Sequence, residues 1–348
     1  MSLDLRKLKI LEAIINDYIM TAVPVGSRTV SKRSGLNLSS ATIRNEMFDL
    51  KELGLLEQPH TSSGSMPSEK AYRLYVNRLM RKSSLTPEEA EYISQHFSTK
   101  IDDVEDVIKQ TALVLSQLTS YMSMVISPQL YEAELRRIQI IPITDEKALL
   151  VVASDVGLVR DAVIRIPASI SDYELNRISE MLTNSLAGMK LNEISDSCMP
   201  DVFKGLGERR EYLEIIKRLA DSLRNASRNP KQELETYGVM NLLSFPEYSD
   251  IEAARNLLEA IEHTDVIYSI LANAKEFEFT IKIGSEIEDP KLSNCSIVTA
   301  TYSIDGKPLG SMGVLGPTRM NYSRVLAILT HIGKSISEIL TQMYLDAD

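Results

Sequence analysis

Two short runs decide the architecture: Pro24-Val25-Gly26-Ser27-Arg28-Thr29-Val30-Ser31-Lys32-Arg33-Ser34-Gly35, then Ser40-Ala41-Thr42-Ile43-Arg44-Asn45-Glu46-Met47. Ahead of them Leu8, Leu11, Ile15, Tyr18 and Ile19 recur at spacings of three and four, which predicts an amphipathic helix over residues 4–20. Pro24 and Gly26 end the connection, and Ser27 is expected to cap a short second helix running to about Ser34. Gly35 falls where a left-handed residue is wanted, and Leu36–Ser39 make a tight turn. Ser40 is the expected N-cap of a third helix, and Gly54 its stop. In that helix Ile43, Met47, Leu50 and Leu53 form the buried stripe, and Thr42, Arg44, Asn45 and Asp49 point elsewhere. A short helix, a tight turn and a helix with a polar N-terminal half make a helix-turn-helix.

Behind Gly54 the chain reads Leu55-Leu56-Glu57-Gln58-Pro59-His60-Thr61-Ser62-Ser63-Gly64-Ser65-Met66-Pro67. An apolar strand, a hydroxyl- and Gly-rich tip and a return predict a β-wing. These residue types suit DNA. Phosphates take cations, hydroxyls and helix-start amides, which Ser27, Arg28, Thr29, Lys32, Arg33 and Ser40 would supply. Base edges take forked or two-headed side chains, so Arg44 and Asn45 are candidate readers, and Thr42 a candidate contact for a thymine methyl. His60, Thr61 and Ser62 join the set from the wing.

Charge supports the division. Residues 1–82 carry 13 Lys+Arg against 8 Asp+Glu, whereas the remaining 266 of the 348 residues carry 25 against 40. A pI near 5.1 therefore hides a basic head on an acidic body. With 44% hydrophobic and 25% charged residues the chain has an ordinary globular composition, and its length suggests two or three domains. No apolar run approaches the ~20 residues of a membrane span. Met1–Lys9 is followed by no apolar signal region, and two cysteines, Cys198 and Cys295, form no disulfide framework; a cytoplasmic protein is expected.

In the body, Lys82-Ser83-Ser84 reads as a linker, and Thr86-Pro87-Glu88-Glu89 as a capped helix start. A longer helix carries Ile101, Val104, Ile108, Leu115 and Leu118 on one face. From Met122 the period changes: Leu135–Ile143, Lys147–Ser154 and Leu158–Ile166 read as strands, with Asp155-Val156-Gly157 as a hairpin turn. Ser171-Asp172-Tyr173-Glu174 is a capping box opening a helix to about Ala187. Strands resume at Phe277–Ile283 and Ile297–Ile304, with Asp305-Gly306 as a turn, and a final helix spans about Tyr322–Tyr344. The expectation is an α+β multidomain protein with helices on one side of an antiparallel sheet.

No chemistry is expected from the body. His60, His96, His263 and His331 lie far apart, the cysteines form no CxxC, and no phosphate loop, dinucleotide fingerprint or nucleophile elbow occurs. No catalytic residue, metal or cofactor is therefore expected. Gly310-Ser311-Met312-Gly313 and Gly316-Pro317-Thr318-Arg319 read as turns and bulges at sheet ends, with a small-ligand cradle as the alternative. The 14 methionines read as core filler.

The two opening runs, together with Glu52-Leu53-Gly54-Leu55-Leu56-Glu57-Gln58-Pro59-His60-Thr61-Ser62, Glu69-Lys70-Ala71-Tyr72-Arg73-Leu74-Tyr75-Val76 and Gly313-Val314-Leu315-Gly316-Pro317-Thr318-Arg319-Met320-Asn321-Tyr322, resemble the bacterial heat-inducible transcription repressor HrcA family. The resemblance runs in order from end to end. It implies a winged helix-turn-helix at 1–82 and a GAF-like α+β domain at 83–194 and 265–348. A mostly helical insertion at 195–264 would help to form a homodimer. It further implies a repressor that binds double-stranded DNA at an inverted-repeat CIRCE operator of chaperone operons, associated with the nucleoid and sustained by chaperonin GroE. Two positions depart from the family. Ser65-Met66 stands where Gly-Arg is usual, placing an apolar side chain at the expected wing tip, and Ile287 stands where Asn is usual. Two rival readings keep this architecture. One is a metabolite-responsive repressor with an effector in the GAF-like domain. The other is a chaperone-interacting stress protein whose winged helix is vestigial, with Met66 in its favour.

Overall fold

The computed structural model describes residues 3–33, 35, 38–59, 64–81, 83–97, 104–128, 134–155, 159–191, 193–194, 234–262, 264–273, 279–304 and 307–346. In the head, α1 spans Leu5–Thr21, with Asp4 as N-cap accepting from the Lys7 amide at 2.8 Å. Its buried stripe is Ile10, Leu11, Ile14 and Ile15, so the inward face is turned slightly from the predicted one; Leu8 and Tyr18 stay half-buried. The second helix, α2, is Ser27–Arg33 and the third, α3, is Ser40–Glu52. Both predicted stops hold: Gly35 and Gly54 have φ of 62° and 69°, a region an L side chain resists. Strands β1 (Leu56–Glu57) and β2 (Met66–Pro67) pair antiparallel as the wing, and Val25 bridges to Ser65 at its edge.

From the wing, α4 (Glu69–Leu74) leads through a widened π turn at Tyr75–Leu79 to α5 (Pro87–Phe97) and α6 (Val104–Thr119). Thr86 and Glu89 form the reciprocal cap expected at the start of α5, with N···O distances of 2.9 and 3.2 Å. Ile101, placed by its period on the face of α6, lies outside the described residues, as do the hairpin turns at 156–157 and 305–306.

Among the described residues the body holds two sheets. The larger has the order β7-β3-β10-β9-β8, all neighbours antiparallel, built from β3 (Met122–Ile126), β7 (Leu234–Tyr237), β8 (Phe279–Ile283), β9 (Cys295–Ile304) and β10 (Lys307–Pro317). Gly310–Gly313, expected to be a turn or bulge at a sheet end, lies instead in its central strand between β3 and β9, whereas Gly316-Pro317 closes that strand and Thr318-Arg319 turns beyond it, as expected. A bulge-like register irregularity also falls between Pro308 and Gly310. Glycines mimic turn signals, and pairing on both sides overrides the low strand preference of Gly.

Helices cover both faces of this sheet, not one. Val125, Val298 and Val314 join a core with α6 and the last helix, α10 (Tyr322–Asp346), whereas Met122, Met124, Ile297 and Leu315 face α8 (Ile251–Glu262) and α9 (Thr264–Asn273). Every residue of β3 is buried, as a strand covered on both faces requires. Ile287, the departure from the family's Asn, is 3% exposed in the second of these cores and serves packing.

The smaller sheet has the order β4-β5-β6, from Leu135–Thr144, Lys147–Ser154 and Val159–Arg165. Helix α7 (Asp172–Leu186) opens at the predicted Ser171/Glu174 capping box and covers one face, giving Ile138, Leu150, Ile164, Leu175, Ile178 and Leu182 a core of their own. In sequence this unit lies between β3 and β7, neighbours in the larger sheet. The segment expected at 195–264 divides: 195–233 lies outside the described residues, and 234–264 supplies β7 and α8 to the larger sheet's domain. Among the described residues no helix is long and apolar enough to cross a membrane.

Candidate nucleic-acid interface

The outward face of α3 is set by what its other faces do. Ile43, Met47 and Leu50 are buried against the head's core. Glu46 and Asp49 are drawn toward α1: Lys7 Nζ lies 2.9 Å from Glu46 and 3.1 Å from Asp49, and Arg6 lies 3.4 Å from Glu46. The two carboxylates, Glu46 foremost, hold the Lys7 ammonium above its ordinary range. The carboxylates nearest Arg44 along the helix are therefore engaged elsewhere. Arg44 and Asn45 are exposed and make no hydrogen bond or ion pair among the described residues. Ala41 and Phe48 complete the same exposed stripe, at helical spacings of three and four.

The cap of α3 differs from expectation by one residue. Ser39, in extended conformation, accepts the Thr42 amide at 3.1 Å, while Ser40 is the first helical residue. The Thr42 hydroxyl also lies 2.9 Å from Ser39 Oγ, so Thr42 reinforces the cap. A cap must sit three residues before the amide it accepts; with Ser39 and Ser40 adjacent, sequence alone offers two equal candidates. Ser27 likewise is the first residue of α2 and not its cap, because the Gly26 carbonyl accepts from the amides of Thr29 and Val30 at 3.0 and 3.1 Å.

Arg28 and Lys32 are exposed cations with no partner among the described residues, and Thr29 is half-buried. Arg33 differs: its guanidinium pairs with Asp17 of α1, so it braces α2 as well as adding charge to the surface. Ser31, which sequence reading passed over, fastens the turn by donating to the Leu38 carbonyl at 2.8 Å. Ser68 caps α4 and donates to the Gly54 carbonyl at 2.7 Å, tying the end of α3 to the wing's return. Each has a recognisable signal, a Ser one turn from a break, but only the tertiary contact shows which carbonyl it meets.

At the wing, His60, Thr61 and Ser62 lie outside the described residues. Met66 does not occupy the tip. It pairs with Glu57 in β2, half-buried, with its sulfur 4.0 Å from the Tyr18 hydroxyl of α1. A Cβ at Gly64 would come within 2.6 Å of the Pro24 carbonyl oxygen, so this strand can approach the Pro24–Val25 segment only as glycine.

The geometry is that of a winged helix presenting a free polar stripe. Comparison with known proteins agrees over almost the whole chain. Residues 2–80 match the family described as "Winged helix-turn-helix transcription repressor, HrcA DNA-binding", and residues 105–326 match "HrcA protein C terminal domain". The chain belongs to the HrcA family. Among HrcA relatives, the "Heat-inducible transcription repressor HrcA" of Moorella thermoacetica is 38% identical, over 99% of this chain and 100% of its own length. That of Pelotomaculum thermopropionicum is 40% identical, over 99% and 98%. A crystal structure described only as that of a hypothetical protein superposes with a TM-score of 0.67 at 26% identity, covering 98% of this chain and 100% of the other. HrcA relatives are transcription repressors and not enzymes, and the fold follows the family's division into a winged-helix head and a C-terminal domain. Among the described residues no group of His, Cys, Asp or Glu is arranged to hold a metal ion.

Proposed function

We propose that this chain is a cytoplasmic, nucleoid-associated, homodimeric repressor of chaperone operons that reads an inverted-repeat operator of the CIRCE type. One observation carries the reading: Arg44 and Asn45 stand free on the outward face of α3 while Glu46 and Asp49 are held to α1. Arg is suited to guanine and Asn to adenine in the major groove. Ser27, Arg28, Thr29 and Lys32 would steady the head on phosphates, together with the wing residues His60, Thr61 and Ser62. The acidic body discourages binding to arbitrary DNA. Repression is by occlusion of transcription and needs no chemistry.

An inverted repeat calls for two heads. The outer face of the β4-β5-β6 sheet supports pairing through the inserted unit: Ile141, Leu149 and Val163 stand in one cross-strand row, and Ile143 and Val163 are 54% and 63% exposed. We therefore place the insertion from about residue 134 to 233 and the GAF-like body on either side of it, at 83–133 and 234–348. By the family resemblance, chaperonin GroE would sustain the active repressor.

The test is fluorescence anisotropy with the full chain on an inverted-repeat duplex and a scrambled duplex, across a salt series. A preference of about 10³ or more, with one dimer per duplex, supports the operator reading. Equal affinity with a steep salt slope sinks it. Val163→Glu, examined by sedimentation, should yield monomer; an unchanged dimer removes this sheet face from the interface.

A further inference from the structure

We infer that Phe48 is a specificity-determining residue of the head, reading thymine C5-methyl groups in the major groove beside Arg44 and Asn45. The inference rests on the DNA-binding reading above and extends it to the apolar part of the base code. Phe48 is 62% exposed in the full chain, on a helix whose inward side is closed by Ile43, Met47 and Leu50 and whose α1 side is closed by Lys7 with Glu46 and Asp49. It lies four residues beyond Arg44 and three beyond Asn45, on the same stripe as exposed Ala41. A side chain there stands one turn along the groove from the two polar readers.

The chemistry of the stripe is complementary to a mixed base sequence. Arg44 and Asn45 supply hydrogen-bonding forks, which suit purine edges but gain nothing from a thymine methyl. An aromatic ring supplies the converse: apolar area with no donor or acceptor to leave unpaired. Among the described residues, the other aromatic rings of the head (Tyr18, Tyr72 and Tyr75) are at least partly buried. Phe48 alone among them is held in water by its place on α3. Covering it against a methyl removes apolar surface from water on both partners.

The experiment uses deoxyuridine, which removes only the methyl. The full chain and its Phe48→Ala variant are titrated by anisotropy on a CIRCE inverted-repeat duplex and on duplexes with one symmetric pair of thymines at a time replaced by deoxyuridine. At one position the wild-type chain should lose about fourfold in affinity for each methyl removed, the factor equivalent to about 0.8 kcal/mol of buried methylene. Phe48→Ala should bind the thymine duplex more weakly and be indifferent to uridine there. Phe48→Leu should keep part of the discrimination, and Arg44→Ala should keep all of it. A Phe48→Ala variant that retains the wild-type thymine-to-uridine ratio at every position overturns the assignment. A wild-type chain that binds scrambled DNA as well as the repeat overturns the underlying reading instead, so the two failures are distinguishable.

Discussion

Arg319 and Glu247 form a two-pronged ion pair at the seam between body and head, and the same guanidinium donates to the Ile19 carbonyl at the end of α1, 3.1 Å away. Its charge also lies 5.4 Å from the Phe245 ring, which stacks on Tyr121. Further along the seam Arg73 of α4 reaches Glu286 and donates to the Ile281 carbonyl at 2.7 Å, while Glu69 accepts from the Ser285 amide. One continuous apolar core runs from Ile10 through Tyr72 to Ile336. The head is thus built into the body.

Replacing Arg319 should loosen that seam. Arg319→Ala leaves the Glu247 carboxylate, which is only 21% exposed, without its cation, at a cost of about 2–4 kcal/mol. Hydrogen exchange should quicken at the Ile19 end of α1 and at Tyr121. A variant with wild-type exchange and an unchanged urea midpoint would show the pair to be dispensable.

Tyr72 gives the opposite expectation. Its ring is buried against Tyr322, with centroids 6.2 Å apart, yet its hydroxyl has no hydrogen-bond partner among the described residues. Tyr72→Phe deletes an unpaired buried group, so stability should be unchanged or should rise by up to about 1 kcal/mol. A loss above about 2 kcal/mol in urea unfolding would mean the hydroxyl is satisfied in solution.

The cap can be tested by comparing neighbours. Ser39→Ala should cost about 1 kcal/mol, because the Thr42 amide loses its acceptor, whereas Ser40→Ala should stay within about 0.5 kcal/mol. Equal losses in thermal unfolding would contradict the assignment of the cap to Ser39.

On DNA, Arg44→Ala should cost about 1–3 kcal/mol and relax preference at one base pair per half-site. Lys32→Ala should weaken all sequences alike and lower the salt slope by about one. Arg33→Ala should in addition lower stability, since it releases Asp17. A uniform loss for Arg44→Ala, or an unchanged slope for Lys32→Ala, would reverse those roles.

Alkaline pH should unfold the body. Burial pushes the Cys295 thiol up to about 11 and raises the hydroxyls of Tyr72, Tyr248 and Tyr322 as well. A thiol freed by unfolding ionises near its ordinary 9.0, so above that pH the unfolded chain gives up protons that the folded one keeps. This contribution to stability is whole below about pH 9 and is lost as pH rises toward 11. Urea midpoints at pH 8, 9, 10 and 10.5 should fall in that order; a midpoint rising through the window would refute the sign.

What was legible in the sequence was local. Apolar period, reciprocal caps such as Ser171 with Glu174, and glycines forced to positive φ act within one or two turns of chain, so α3, the wing and α7 could be read from neighbours alone. The exposure of Arg44, Asn45, Arg28 and Lys32 was legible for the same reason, since it follows from the buried stripe of each helix. Whatever depends on contact between distant segments was settled only by the fold. Gly310–Gly313 looks like a turn until β3 and β9 pair along the strand that contains it. Met66 looks like a wing tip until β1 draws it into a strand against Tyr18. Arg33 looks like a free cation until α1 brings Asp17 to it. Arg319 and Ile19 lie 300 residues apart, and only packing makes them neighbours. Short-range propensities are written in adjacent residues, whereas pairing partners, buried charges and the seam between head and body are chosen by the tertiary structure, where burial and hydrogen-bond satisfaction outweigh local preference.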